Sequence, residues 1–356
     1  MLQSIFYGLI TLSILIVVHE LGHFFLARIS NVRVLTFSVG FGRKVLRLKK
    51  GETEYAISLF PLGGYVKLLG ESPGEELREE DLPWSYSHKS PSIKLLIAFS
   101  GPLANFLFAV LVFFILLATG YNVLTTKVGG VEKGYPAQEA GIKEGDRIVA
   151  IDGKRVEEWG ELTEILNSKN EGESVTVTVK RGDRLIDFVL TPKVMEGKNI
   201  FGERKTRKVI GITASNEFVV KREKVLDAVV KSVNQTVNLT ALTIIGIWKL
   251  IKGAVSPSEL GGPLMIMEVA GKQAKEGKRN FLYFLALISI NLAVINLLPI
   301  PVLDGGYIFF HLVEILLRKR LSIQWMEVSQ KIGMGVLVAI MALAFFNDII
   351  RIFHGR

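Results

Sequence analysis

The sequence contains no cysteine, which excludes disulfides, thiolate metal ligands and a cysteine nucleophile together. Histidine is scarce, with five residues among 356, so any metal chemistry must draw on few imidazoles and on carboxylates. No basic run carries interleaved aromatics, and the formal charge of +9 therefore does not point to nucleic acid. Beside apolar segments, such charge suits membrane lipid with anionic headgroups. The first apolar stretch lacks a basic start and a small-residue cleavage site, unlike an ordinary cleaved signal peptide.

What is present is apolar material segregated from charge. Hydrophobic residues make up 49% of the chain and charged residues 22%. Four stretches, about Ile5–Leu26, Leu95–Ala118, Phe281–Leu298 and Ile332–Ile352, approach the roughly 20 residues that cross about 30 Å of hydrocarbon. Arg28, Arg33, Arg43, Lys44, Arg47, Lys49 and Lys50 follow the first, and Arg318, Lys319, Arg320 and Lys331 separate the last two. An N-out, C-out arrangement puts both basic loops in the cytoplasm, as the positive-inside rule prefers. Arg351 and Arg356 oppose it weakly.

The organisation expected is a first transmembrane helix over 1–30, a cytoplasm-side β-hairpin region and linker over 31–94, and a second transmembrane helix over 95–119. In the hairpin region Tyr55–Phe60 and Gly64–Leu69 alternate apolar and polar residues between glycine and proline breaks. A small β-rich domain occupies 120–194. Its strand Val175–Val179 has period two, Arg181-Gly-Asp183 makes a turn, and Ala140-Gly-Ile-Lys-Glu-Gly-Asp146 gives a glycine-aspartate turn that looks like a PDZ domain. An extracytoplasmic segment over 195–280 carries an amphipathic helix marked by Val225, Val229, Val233 and Val237. There Asn234, Gln235, Asn238 and Lys249 favour a membrane-surface position over a fifth span. A third transmembrane helix follows over 281–306, a cytoplasmic loop over 307–331, and a fourth transmembrane helix over 332–356. The fold class is thus a polytopic α-helical membrane protein with about four transmembrane helices, a membrane-associated β-hairpin region and one extracytoplasmic PDZ-like β-rich domain.

The sharpest chemical signal is His19-Glu20-Leu21-Gly22-His23. On a helix, residues four apart share a face, so both imidazoles can converge on one Zn2+ ion. Glu20 is then placed as the base that takes a proton from water activated by the metal. Ionisable groups inside a membrane span are costly and usually functional, which weighs against two merely packed histidines. A catalytic zinc site generally wants a third protein ligand. Asp304, after a run broken by Pro299 and Pro301, is the best candidate, because the topology sets it at the same depth as the histidines. Asn105, in Gly101-Pro-Leu-Ala-Asn105, needs a polar partner within the second span, with Asn296 and the zinc site as options. Its role reads equally as structural. His88, His311 and His354 read as solvated or packed. The hairpin reads either as an ordinary surface hairpin or as an edge that captures an unwound substrate by β-augmentation.

Together, HELGH, SVGFG, FPLGGYVKLLGE, SGPLAN and NLLPIPVLDGG resemble, in order and over nearly the whole chain, the bacterial site-2 proteases. The likeness is greatest to the envelope-stress member of that family of intramembrane zinc metalloproteases. The resemblance implies zinc ligands at His19, His23 and Asp304 and a catalytic base at Glu20, in the inner (plasma) membrane with the active site toward the cytoplasm. It implies single-span membrane protein substrates, such as anti-sigma factors already trimmed outside or remnant signal peptides, cut in regulated intramembrane proteolysis. One PDZ-sized segment stands where the best-known members have two. Three other readings fit less well. A water-facing zinc enzyme usually recruits a later glutamate, a dead PDZ adaptor needs no ligand set, and a metal transporter wants polar groups across several midplanes.

Overall fold

Long apolar runs with few breakers propagate as helices, and glycine-punctuated alternation gives strands. The computed structural model describes residues 2–72, 75–198 and 203–354. In chain order the elements begin with α1 (Leu2–Ile29), β1 (Val34–Lys50), β2 (Thr53–Leu68) and α2 (Pro91–Thr119). There follow β3 (Tyr121–Leu124), β4 (Val128–Val131), α3 (Pro136–Ala140), β5 (Arg147–Ile151), β6 (Lys154–Arg155), α4 (Trp159–Ser168), β7 (Val175–Arg181) and β8 (Arg184–Leu190). Then come β9 (Lys193–Lys198), β10 (Arg204–Val209), β11 (Ile212–Ala214) and β12 (Phe218–Lys221). The chain ends with α5 (Val225–Ile251), α6 (Pro263–Glu276), α7 (Lys278–Asn296), α8 (Asp304–Leu317) and α9 (Ile323–His354). Two compact units result, Met1–Leu116 with Val225–Arg356, and Leu117–Lys224.

In the first unit, α1, α2, α7 and α9 are long and apolar enough to cross a membrane. Helices α1 and α2 approach closely, because a Cβ on Gly22 would collide with the backbone of Ser100. Ala109, Val112 and Phe113 of α2 pack with Ala286 and Ile290 of α7, and Leu239 and Ile247 of α5 join them. Helix α5 buries Ala228, Ser232 and Thr236 on one face, and its Thr243 hydroxyl donates to Asn291 Oδ1 at 2.8 Å. The β strands are longer than the alternation suggests. Residues 36–39 lie between residues 54–57 and residues 64–67, so β2 doubles back around the start of β1. Phe37 and Leu68 of this sheet pack on Phe24 and Ala27 of α1.

Three boundaries differ from the sequence reading. The small β domain, expected over 120–194, runs on to Lys224, because β11 and β12 pair with β4 and β3. The third apolar helix does not continue to 306. It stops at Asn296, residues 297–303 turn, and Asp304 opens a new helix. Pro299 and Pro301 lack the N–H that an unbroken helix needs, and each restricts the residue before it. The segment 307–331, expected as a loop, is largely helical, since α8 runs to Leu317 and α9 begins at Ile323. Arg318 ends α8 in a left-handed conformation, φ 52°.

The second unit is a small β structure with a four-stranded sheet in the order β6-β5-β7-β8. Val175, Val177 and Val179 point into a core shared with Ile148, Ile151, Leu162 and Leu166, which is the period-two pattern made physical. Asp146, fully buried, accepts from Arg181 Nε at 2.7 Å and from Lys143 N at 2.8 Å. Burial works against its charge, but Arg181 and the backbone donor win and hold its pKa below the ordinary value.

Candidate metal centre and catalytic cavity

His19 and His23 lie one helical turn apart on α1, with their Nε2 atoms 3.2 Å apart. Asp304, at the first position of α8, places Oδ2 2.9 Å from His19 Nε2 and Oδ1 3.4 Å from His23 Nε2. One ligand atom from each of the three falls within 4.8 Å of the others. Among the described residues Asp304 Oδ2 is buried and makes no hydrogen bond of good geometry, although His19 Nε2 lies 2.9 Å away. Lone pairs so arranged repel one another unless a cation lies between them.

The outer contacts favour the same arrangement. His23 Nδ1 lies 2.8 Å from the Ile97 carbonyl, so its N–H donates there and the Nε2 lone pair faces the cluster. His19 Nδ1 faces the Asn105 amide at 3.3 Å, while Asn105 Oδ1 is buried and, among the described residues, unpartnered. Turning that amide over satisfies both groups, because Oδ1 then accepts the His19 Nδ1–H; oxygen and nitrogen of an amide are assigned from such networks. Asn296 Nδ2 is 3.5 Å from His19 Nε2. Gly101 matters most sterically. A Cβ there would sit 2.7 Å from His19 Nε2 and closer still to His23 Nε2, so only glycine leaves this point open. Two imidazoles and one carboxylate with an open side match the donor set of a catalytic zinc site.

Glu20 follows His19 and lines the same cavity, of about 1150 Å³. The Val66 backbone hydrogen-bonds to its carboxylate. Gly64 of β2 lets the strand pass close to β1 and α1 beside it, since a Cβ at that position would lie 2.8 Å from the Ser38 carbonyl oxygen and 3.2 Å from Ile16 Cγ2. Sequence reasoning missed several cavity residues. Glu71 lines it, and desolvation holds its carboxyl above the ordinary value, against the Leu68 N–H that donates to it at 3.0 Å. His311, expected to pack on a helix face, also lines it and contacts Tyr86. No linear signal pairs residues 225 positions apart. Gly101 does carry a signal, its place four residues before Asn105, but in the sequence it reads only as a packing glycine. His88 bonds Ser85 and Ser87 and takes no part in the cavity.

The sequence matches Peptidase family M50 over residues 7–340. "Putative zinc metalloprotease Cj1068" of Campylobacter jejuni is 36% identical over 346 residues, spanning 96% of this chain and 92% of that protein. A Helicobacter pylori J99 protein named "Putative zinc metalloprotease" is 38% identical over 356 residues, spanning 97% and 99%. "Putative zinc metalloprotease CPE1693" of Clostridium perfringens is 34% identical, spanning 97% and 98%. The match runs through every segment that builds the cavity, and the chain therefore belongs to peptidase family M50, the site-2 protease family, and is a zinc metalloprotease.

Proposed function

We propose that His19, His23 and Asp304 hold the zinc, that Glu20 is the catalytic base, and that the substrate bond lies within or beside a transmembrane segment of a single-span protein. The observation that carries this reading is the convergence of the three donors in one cavity with Glu20. When bound, the metal supplies Lewis acidity to the attacking water and to the scissile carbonyl. Glu20 takes the water's proton and returns it to the leaving nitrogen, while Val66 orients its carboxylate. Asn105 holds the His19 ring, the Ile97 carbonyl holds the His23 ring, and Asn296 is placed to donate to the carbonyl oxygen as charge builds there. Gly64–Leu68 of β2 lie at the cavity wall, paired with β1 along one edge. An unwound substrate laid along the other edge would present its peptide bond extended rather than helical.

The membrane reading is supported by four helices of sufficient length and apolarity, and the basic loops favour an active site toward the cytoplasm of an inner membrane. That orientation leaves the Leu117–Lys224 unit outside the cytoplasm, where its length exempts it from the charge rule. We read it as a PDZ-like domain that selects substrates, either by binding a freshly exposed terminus or by obstructing bulky external domains. Substrates of that kind are anti-sigma factors trimmed outside and remnant signal peptides, within regulated intramembrane proteolysis. The test is cleavage of a single-span reporter by detergent-purified protein. Cleavage should stop with a zinc chelator and return with added zinc; cleavage that persists after verified zinc removal overturns the reading.

A further inference from the structure

Asp304 is held by an unusual stretch of backbone. Val302, two residues before it, has φ 96°, a strained conformation for a β-branched residue that persists only when its surroundings impose it. Gly305 and Gly306 follow, each packed so closely on the backbone of residues 297–301 that a Cβ would collide. Glycines permit this approach but do little to fix the rotation of α8 about its axis. Something beyond the first turn must set where the Asp304 carboxylate points.

On α8, residues 304, 307, 311 and 314 form one stripe, and all four line the cavity. His311 lies seven residues beyond Asp304, about 10 Å along the axis and on the same face. It is 3% exposed and Glu314 is 7% exposed. His311 Nδ1 is 3.0 Å from Glu314 Oε2, and Nε2 is 3.0 Å from the Tyr86 hydroxyl. Glu314 Oε1 in turn accepts from Leu321 N at 3.1 Å. Burial pushes the imidazole pKa down against the opposing pull of Glu314, consistent with a neutral ring that donates from Nδ1 and accepts the Tyr86 proton at Nε2. Tyr86 is itself fixed, its backbone N–H donating to Leu69 O at 2.8 Å. Nearer Asp304 on the same stripe, Gln330 Nε2 of α9 donates to Tyr307 Oη at 3.2 Å.

We propose that the Tyr86–His311–Glu314 network, with His311 and Glu314 buried, makes His311 a positioning residue, one that sets the rotation of α8 and thereby the direction of the Asp304 carboxylate toward His19 and His23. This rests on the ligand assignment proposed above. The network spans segments far apart in sequence, and it anchors the end of the helix that the glycines leave free. Because it lies two turns from Asp304, it acts on that carboxylate through the backbone and not by touching the metal.

The test compares Tyr86→Phe, His311→Asn and the double variant in the full-length protein, loaded with cobalt(II) for visible spectroscopy and with zinc for release to a chelator. Each single variant should shift the cobalt d–d absorption and shorten the half-time of zinc release by about tenfold, the low end of the roughly 10–100-fold in affinity that losing a direct partner of a metal ligand costs, because the network acts on Asp304 only through the backbone. The double variant should add little, because both changes break one link. Tyr86→Phe keeps the size of the ring and leaves α8 untouched, so it reports even where His311→Asn unfolds. Lowered thermal stability with an unchanged cobalt spectrum and zinc half-time overturns the inference, and so do additive effects. Asp304→Ala is the control. If it leaves the cobalt spectrum intact, the ligand assignment fails; if it alters the spectrum while Tyr86→Phe does not, only the positioning role fails.

Discussion

Replacing Gly101 by alanine should separate the metal site from the fold. In a helix interior, alanine is favoured over glycine by about 1 kcal/mol, so α2 alone predicts a neutral or stabilising change. The site predicts the reverse for metal binding. The added Cβ would lie 2.7 Å from His19 Nε2, where ordinary contact begins at 3.4 Å, so that imidazole must retreat by about 0.7 Å, and His23 by more. Zinc–nitrogen bonds are about 2.0–2.1 Å and tolerate roughly ±0.2 Å. The displacement exceeds that tolerance about threefold, and it affects both proposed histidine ligands at once. Zinc affinity should fall by about a hundredfold or more, equivalent to about 2.8 kcal/mol at 1.4 kcal/mol per tenfold. Equilibrium competition with a chromophoric chelator measures it, with helix content and thermal unfolding followed on the same sample. A Gly101→Ala protein that binds zinc within about threefold of wild type would show that the two imidazoles do not need this opening.

Asp304→Ala removes a charged donor and should lower zinc affinity beyond the roughly 10–100-fold typical of losing an outer partner; metal analysis after dialysis reads it, and full occupancy would move the third ligand elsewhere. Asn105→Ala takes away the partner of His19 Nδ1 and should cost about 10–100-fold in zinc affinity or turnover with the helix content unchanged, as metal competition and reporter cleavage can show. Asp146→Ala deletes the carboxylate that Arg181 and Lys143 share and should destabilise the Leu117–Lys224 unit by about 2–3 kcal/mol, visible as faster amide exchange in β5 and β7. Because the Asp146 pKa is lowered by folding, its contribution in wild type is present above the ordinary carboxylate pKa and is lost as pH falls through the folded value, so the difference between variant and wild type should shrink in acid.

Much of the site is legible in the sequence because its signals are local. His19 and His23 share a face through helical periodicity alone, and Glu20 is fixed by adjacency. Asp304 follows from depth, which needs only the direction of two apolar segments. The prolines that flag the turn before it do more than the sequence reading allows them. Their missing donors divide the segment into α7 and α8, and the second helix carries the carboxylate into place. The hairpin alternation is visible in pieces, but the doubling of β2 around residues 36–39 depends on contacts between distant glycines and strands. Gly101 shows in sequence only as a small residue; its position against two imidazoles is a tertiary fact. The Tyr86–His311–Glu314 network leaves no trace, since nothing in a histidine two turns past an aspartate names a tyrosine 225 residues earlier.

Whether Glu20 performs the chemistry at a zinc held by His19, His23 and Asp304 is decided most directly by Glu20→Gln, measured for zinc content and reporter cleavage on one preparation. The substitution keeps the shape and the acceptor oxygen toward Val66 while removing the base. Zinc should be bound at wild-type stoichiometry, with turnover lower by the roughly 10²–10⁴-fold that a general base contributes. Wild-type cleavage by the zinc-loaded Glu20→Gln protein would rule out that role for Glu20.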